Sequence, residues 1–314
     1  MSIYKTINTS KITSFAALLI VLLFASCTDV IDVELQEGEV QLSVDAWIND
    51  KAETQVVRLR LSRPYFDTQS IDPVTGASVV ITDNEGSAFV FTDVNNDGDY
   101  TWEPPNGQTF GEIGNSYTLA IETDGQRYTA TSSMNRVVTI DSITQEFRDA
   151  ELGDVEGIYA EFFARDFEGL DDCYWIKTFK NGRFLNKPQE LNIAYDAGFS
   201  AGAEVDGLIF IPPIRDAINR IPDGADDAVD DSDVPPWAPG DSIFVEIHSI
   251  PVDAFTFLEQ ARRQMTIGDA GIFAEPLANV PTNIINEDAN STEKALGYFC
   301  VSAVSSLGRR IEEE

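Results

Sequence analysis

The sequence predicts a mainly β protein: an N-terminal β-sandwich of immunoglobulin-like or prealbumin-like kind, then a second mostly β domain carrying one short helix. Three observations carry that expectation. From Val40 onward the apolar residues recur at every second position, the period of a half-buried strand. Turn signals rich in Gly, Asn and Asp separate these runs at short intervals. One segment, after Pro251, instead repeats its apolar residues at helical spacing.

The first strand alternates Val40, Leu42, Val44, Ala46 and Ile48 with Gln41, Ser43, Asp45, Trp47 and Asn49. Val57, Leu59 and Leu61 then alternate with Arg58, Arg60 and Ser62. Short runs follow at "ASVVITD", "SAFVFTD", "DYTW", "SYTLAIET" and "RYTATSS", with turns at Asn84-Glu85-Gly86 and Asp124-Gly125. About seven short antiparallel strands in about 95 residues describe a sandwich. This places a β-sandwich domain over residues 40–135.

Composition breaks near Asn135, and the second domain is expected over residues 136–314. "RVVTIDSITQEFRD", "GIYAEFFARDF", "CYWIKTFKNGRFL" and "DSIFVEIHSI" read as strands. Ala254, Phe257, Leu258, Ala261 and Met265 give the helix, with Pro251 suited to its first turn. "GYFCVSAVSS" reads as one terminal strand. Between them residues 195–240 read as a long acidic loop containing "PDGADDAVDDSDVPPWAPGD".

Ahead of the sandwich, Lys5 and Lys11 precede ten apolar residues from Phe15 to Phe24. That run is too short to span a bilayer, which takes about 20 residues, and suits the core of a signal peptide over residues 1–26. Ala25 and Ser26 stand before Cys27, which resembles the lipobox of bacterial lipoproteins; Phe24 replaces the usual Leu. The resemblance implies lipidation of Cys27, and two or three acyl chains would anchor the chain firmly. Residues 27–39 form an acidic tether without Lys or Arg. Such a stretch resembles the one that follows the acylated cysteine in surface-exported lipoproteins, although a plain solvated tether has the same composition.

The formal charge is −32, which repels phosphates and so removes the electrostatic basis of nucleic-acid binding. With Cys27 acylated, Cys173 and Cys300 are the remaining thiols, and an oxidising compartment invites a disulfide between them. Two buried free thiols are the alternative.

Catalytic chemistry is thinly represented. The one histidine, His248, lies in a strand on the same face as Glu246; one histidine builds no multi-His zinc site, and a structural role is expected. "DVNNDGDY" sets Asp93, Asn95, Asp97 and Asp99 at spacing two, like the first half of a calcium loop. Position twelve is Pro104, however, and Asp97-Gly98 also suits a hairpin turn. No other cofactor is expected. The aspartates from 223 to 233 read either as a solvated run or as a weak calcium site. Trp237, held among Pro235, Pro236 and Pro239, is a candidate ligand or partner contact.

Taken in order, "LSVDAWIND", "VRLRLSRPYFD", "PVTGASVVITDNEG", "GNSYTLAIET", "YTATS", "IDSITQEF" and "ALGYFCVSAVS" resemble the Bacteroidota lipoprotein family catalogued as domain of unknown function 4249. The resemblance implies a non-enzymatic outer-membrane lipoprotein associated with a TonB-dependent transporter in nutrient capture; the acidic stretch after Cys27 favours the cell surface, with attachment facing the periplasm as the alternative. The resemblance supplies no catalytic residue to carry over. A surface adhesin or glycan- or peptide-binding lipoprotein is the second reading, and a carboxylate-based hydrolase the third.

Overall fold

A computed structural model describes residues 39–63, 70–149, 155–221, 236–266 and 280–313. The expected alternation becomes seven strands in the first part: β1 (Leu42–Asn49), β2 (Gln55–Leu61), β3 (Ser78–Asp83), β4 (Ala88–Phe91), β5 (Asp99–Trp102), β6 (Ser116–Thr123) and β7 (Gln126–Ser133). Nine more follow: β8 (Ile140–Arg148), β9 (Gly157–Ala164), β10 (Cys173–Lys180), β11 (Arg183–Phe184), β12 (Asn192–Tyr195), β13 (Ser242–Ile250), β14 (Ile285–Asn286), β15 (Ala295–Ser302) and β16 (Val304–Arg310). The chain is mainly β, as its period-two pattern predicts.

Two sheets, ordered β15-β1-β2-β5 and β14-β7-β6-β3-β4, share one core. Val44, Ala46, Val57 and Leu59 from the first meet Val79, Ile81, Leu119 and Ile121 from the second. Their alternate residues face outward, which is why the pattern is legible. Tyr117, at the start of β6, receives the Glu112 amide hydrogen at 2.7 Å and donates to the Glu112 carbonyl at 3.2 Å. This is a tyrosine corner, a device of immunoglobulin-like sandwiches. Asp124 and Gly125 both take positive φ in the tight turn joining β6 to β7.

A second core gathers Ile140, Phe162, Tyr174, Ile176, Val245 and Ile247 beneath a sheet ordered β11-β10-β13-β16, with β12 also on β10. β8 and β9 form a separate hairpin against it. The expected helix is present as α2 (Val252–Met265), with Pro251 as its N-cap residue. A one-turn helix, α1 (Pro212–Asp216), lies within the stretch expected to be irregular. There Phe210, Ile214 and Ile218 are fully buried in the second core, so much of that stretch is packed structure.

The terminal strand differs from expectation. It is two strands that break at Ala303: β15 pairs in parallel with β1, while β16 joins β13 in another sheet. The buried Ser249 hydroxyl donates to the Asn135 carbonyl and receives the Ala303 amide hydrogen, fixing the crossing point. β14 pairs with β7, so the first core draws on residues 284–303 as well as 42–134. Val40–Glu314 form one compact unit.

Candidate functional site

The site is built on the outward face of β10 and β13. Period-two geometry sets Trp175, Lys177 and Phe179 on one side of β10. The register places them opposite His248, Glu246 and Phe244. Asn181 and Gly182, both at positive φ, turn the chain so that Phe184 of β11 lies opposite Phe179. The result is an aromatic row. Phe184 and Phe179 have ring centres 5.2 Å apart, and Phe179 and Phe244 are 6.0 Å apart. Phe244 is 37% exposed. Trp175 lies 6.4 Å from Phe184 and 5.0 Å from Trp47 of the first sandwich.

Beside the row lies a charged trio. Lys51 Nζ is 2.6 Å from Glu246 Oε1, and His248 Nε2 is 3.0 Å from Glu246 Oε2. Burial opposes ionisation of Glu246, but the hydrogen bonds from His248 and Lys51 overcome it and hold the carboxyl at about 2. Burial, with repulsion from Lys177, depresses His248 to about 4 despite Glu246. His248 is therefore neutral at pH 7 and donates to a carboxylate. Lys177 lies 3.9 Å from the centre of the Trp175 ring, a cation–π contact, and burial lowers it to about 8 against the pull of Glu246.

An open groove of about 590 Å3 runs along this face, lined by Lys51, Phe179, Phe244, Glu246, Gly308 and Arg310. Behind the β10–β11 turn lies a second recess of about 390 Å3, bordered by Lys180, Arg183, Phe184, Lys187, Glu190 and Arg220.

A separate acidic cluster lies where three loops meet. Carboxylate oxygens of Asp166, Asp196 and Asp206 lie within 4.8 Å of one another, a grouping that could hold an oxygen-preferring cation. Asp166 is 4% exposed and Asp196 2%. Burial raises Asp166 to about 6, helped by the charges of Asp172 and Asp196 and opposed by hydrogen bonds from Tyr174 and Gly207. Tyr174 Oη donates to Asp166 Oδ1 at 2.7 Å.

Of the residues singled out in the sequence, His248 and Glu246 meet in the charged trio, and the others fall elsewhere. Trp237 is 1% exposed and packs in the second core, its Nε1 donating to Asn219 Oδ1 at 2.8 Å. A buried indole with its donor satisfied offers no surface to a ligand, which corrects the contact role expected of it. Cys173 and Cys300 are buried free thiols, so the expected bridge is not formed. They sit on strands of different sheets, β10 and β15, and Cys300 Sγ lies 3.7 Å from Ser302 Oγ.

Around Gly98, Asp93 accepts the amide hydrogens of Asp97 and Gly98, and Asp97 accepts that of Asp99. Asp99 is taken by Arg60, and Asn95 is exposed. These carboxylates close a turn between β4 and β5 instead of converging on one point. Gly98 is required there, because a Cβ would stand 2.6 Å from the Leu59 carbonyl. Cys27 and the aspartates from 223 to 233 lie outside the described residues.

Sequence reasoning passed over the aromatic row, although the signal was present: Trp175, Lys177 and Phe179 in period two before Asn-Gly. The acidic cluster left no such signal, since its members stand ten to forty positions apart and meet only through tertiary structure.

No curated protein matches the chain. The sequence profile of the family described as Domain of unknown function (DUF4249) matches residues 28–307, nearly the whole length, and the chain belongs to that family.

Proposed function

We propose that this protein is a non-enzymatic, lipid-anchored outer-membrane lipoprotein that captures a ligand for a TonB-dependent transporter. The observation that carries the reading is the open groove lined by Phe179 and Phe244 beside the aromatic row. Half-exposed rings on a rigid sheet form a binding face, because each offers apolar area at little cost in side-chain freedom. Binding is favoured over catalysis by the state of His248, which is buried, neutral and committed to Glu246. The anchor is supplied by Cys27, whose context of Ala25, Ser26 and the apolar run before them suits acylation.

Affinity purification from native membranes tests this reading. A transporter barrel is expected to co-purify with the wild-type chain and to be lost with Cys27→Ser, which also moves the protein out of the membrane fraction. Recovery of the wild-type protein without any barrel would falsify the reading.

A further inference from the structure

We infer that Lys177 is a covalent binding site, at which a small neutral aldehyde or ketone condenses with the side-chain amine while its apolar body lies against Trp175 and Phe179. The inference rests on the capture reading above and names the ligand class.

Geometry is the first argument. Lys177 stands in the middle of the aromatic face, with Trp175 and Phe179 two residues away on either side of it along β10. Across the register it is opposite Glu246, and both Phe179 and Glu246 line the open groove. The Lys177 side chain is half-buried and makes no hydrogen bond or ion pair among the described residues. Its Nζ lies 3.9 Å from the centre of the Trp175 ring. The neighbouring lysines are engaged. Lys51 is held by Glu53 at 3.1 Å and by Glu246 at 2.6 Å, and Lys180 by Asp241 at 2.9 Å. Glu246 in turn is committed to Lys51 and His248.

Reactivity is the second. An amine attacks a carbonyl only after losing its proton, and lysines reach that state near neutrality when they are desolvated or stand beside another cation. Both conditions hold at Lys177. The groups that face it are Glu246 and His248 of β13, Lys51 in the turn after β1, Asp45 of β1 and Cys300 of β15. Glu246 and Asp45 favour the ammonium and Lys51 opposes it, but burial is the strongest influence and the amine titrates at about 8. At pH 7 about one Lys177 amine in ten is then neutral, against about one in three thousand for an ordinary lysine.

The condensation balances without a further reagent. The neutral nitrogen bonds to the carbonyl carbon, and the carbonyl oxygen leaves as water with both amine hydrogens. A C=N bond remains, and water reverses the step, so capture is followed by release. Charge selects the ligand: a protein at −32 repels an anion, and the Lys51 ammonium beside the site disfavours a second cation. A neutral carbonyl compound meets neither barrier, and the rings of Trp175 and Phe179 offer its body apolar area.

Reductive trapping on the purified full-length protein decides the matter. Acetaldehyde or benzaldehyde is added at pH 7 with cyanoborohydride, which fixes each imine as a secondary amine, and the modified lysines are mapped by mass spectrometry. Lys177 is expected to react about tenfold or more faster than the exposed Lys294. Its rate should level off above about pH 8. The excess over Lys294 should be larger with benzaldehyde than with acetaldehyde, and Phe179→Ala should reduce that difference while the circular dichroism spectrum stays unchanged. Lys177 reacting no faster than Lys294, an equal excess for the two aldehydes, or a benzaldehyde preference that survives Phe179→Ala overturns the inference. Because no transporter is present in the labelling, its failure leaves the co-purification result standing, and the reverse also holds.

Discussion

The two cores of this protein are built from different materials. In the first, the buried polar side chains among the described residues are Gln55 on β2 and Ser132 on β7, amid aliphatic and aromatic neighbours. In the second part, Asp166, Asp196, Glu246 and His248 are all buried. Burying a charge costs several kcal/mol unless it is paired and hydrogen-bonded. Glu246 is compensated in this way, while Asp166 and Asp196 lie close together with like charge. The first core is thus almost wholly apolar, while the second part of the chain buries charged groups beside its core. The face proposed to bind ligand lies on the second.

That contrast can be broken at three positions. Leu119 is fully buried in the first core, and Leu119→Ala should destabilise the protein by about 3–4 kcal/mol through lost contact and an unfilled cavity. Urea unfolding at pH 5 and pH 8 should give the same loss, because no titrating group is involved. A loss that changed with pH would show the first core to be electrically coupled to the second.

Glu246→Ala comes next, with an expected loss of about 3 kcal/mol at pH 7. It strips the carboxylate from Lys51 and His248, although partial exposure of Lys51 lets water soften the effect. Glu246 titrates near 2 in the fold against an ordinary 4.5, so its stabilisation is complete above about pH 4.5 and disappears toward pH 2. His248, held at about 4 against 6.5, lowers the stability of the folded state as pH falls through that interval, because the unfolded chain takes up the proton first. The wild type should therefore lose stability from pH 6.5 downward. A flat profile between pH 6.5 and 4 would count against the buried trio.

Asp166→Asn is the smallest effect and has the opposite sign. With a folded value near 6 against 3.8, ionised Asp166 opposes folding above that interval. Replacement by the neutral amide should stabilise the protein by about 2 kcal/mol at pH 7.5, with the gain gone by pH 4. Thermal melts at the two pH values check this, and an Asn variant less stable than wild type at pH 7.5 would refute it.

How far each feature could be read in advance follows from its range. Strands such as "LSVDAWIND" and "SYTLAIET" declare themselves because alternation is local, and α2 does so by its spacing after Pro251. Asp124-Gly125 is as legible, since its backbone demands are met within two residues. The parallel pairing of β15 with β1 is not, because a strand's pattern names its buried face and not its neighbour. The break at Ala303 is hidden by the same logic: "GYFCVSAVSS" is apolar throughout, although its halves enter different sheets. Trp237 misled because prolines and aspartates around it suggest solvent, whereas Asn219 supplies a buried acceptor eighteen residues away in sequence. For the binding face, Phe179 and Phe184 were legible as a hairpin pair. Their union with Phe244 was not, since it depends on β13 lying beside β10.

The parallel strand has a further consequence, which concerns time. Gly297 lies so close to β1 that a Cβ there would stand 1.9 Å from the Val44 carbonyl, and its φ is +89°; β15 fits against β1 only with glycine at that position. β1 is made some 250 residues before its partner. The first sheet therefore cannot close on a nascent chain; it closes after residue 302 has emerged. Pairings this distant in sequence form slowly. The first sheet is thus completed by a strand far away in sequence, which sets its closure among the slow steps of folding.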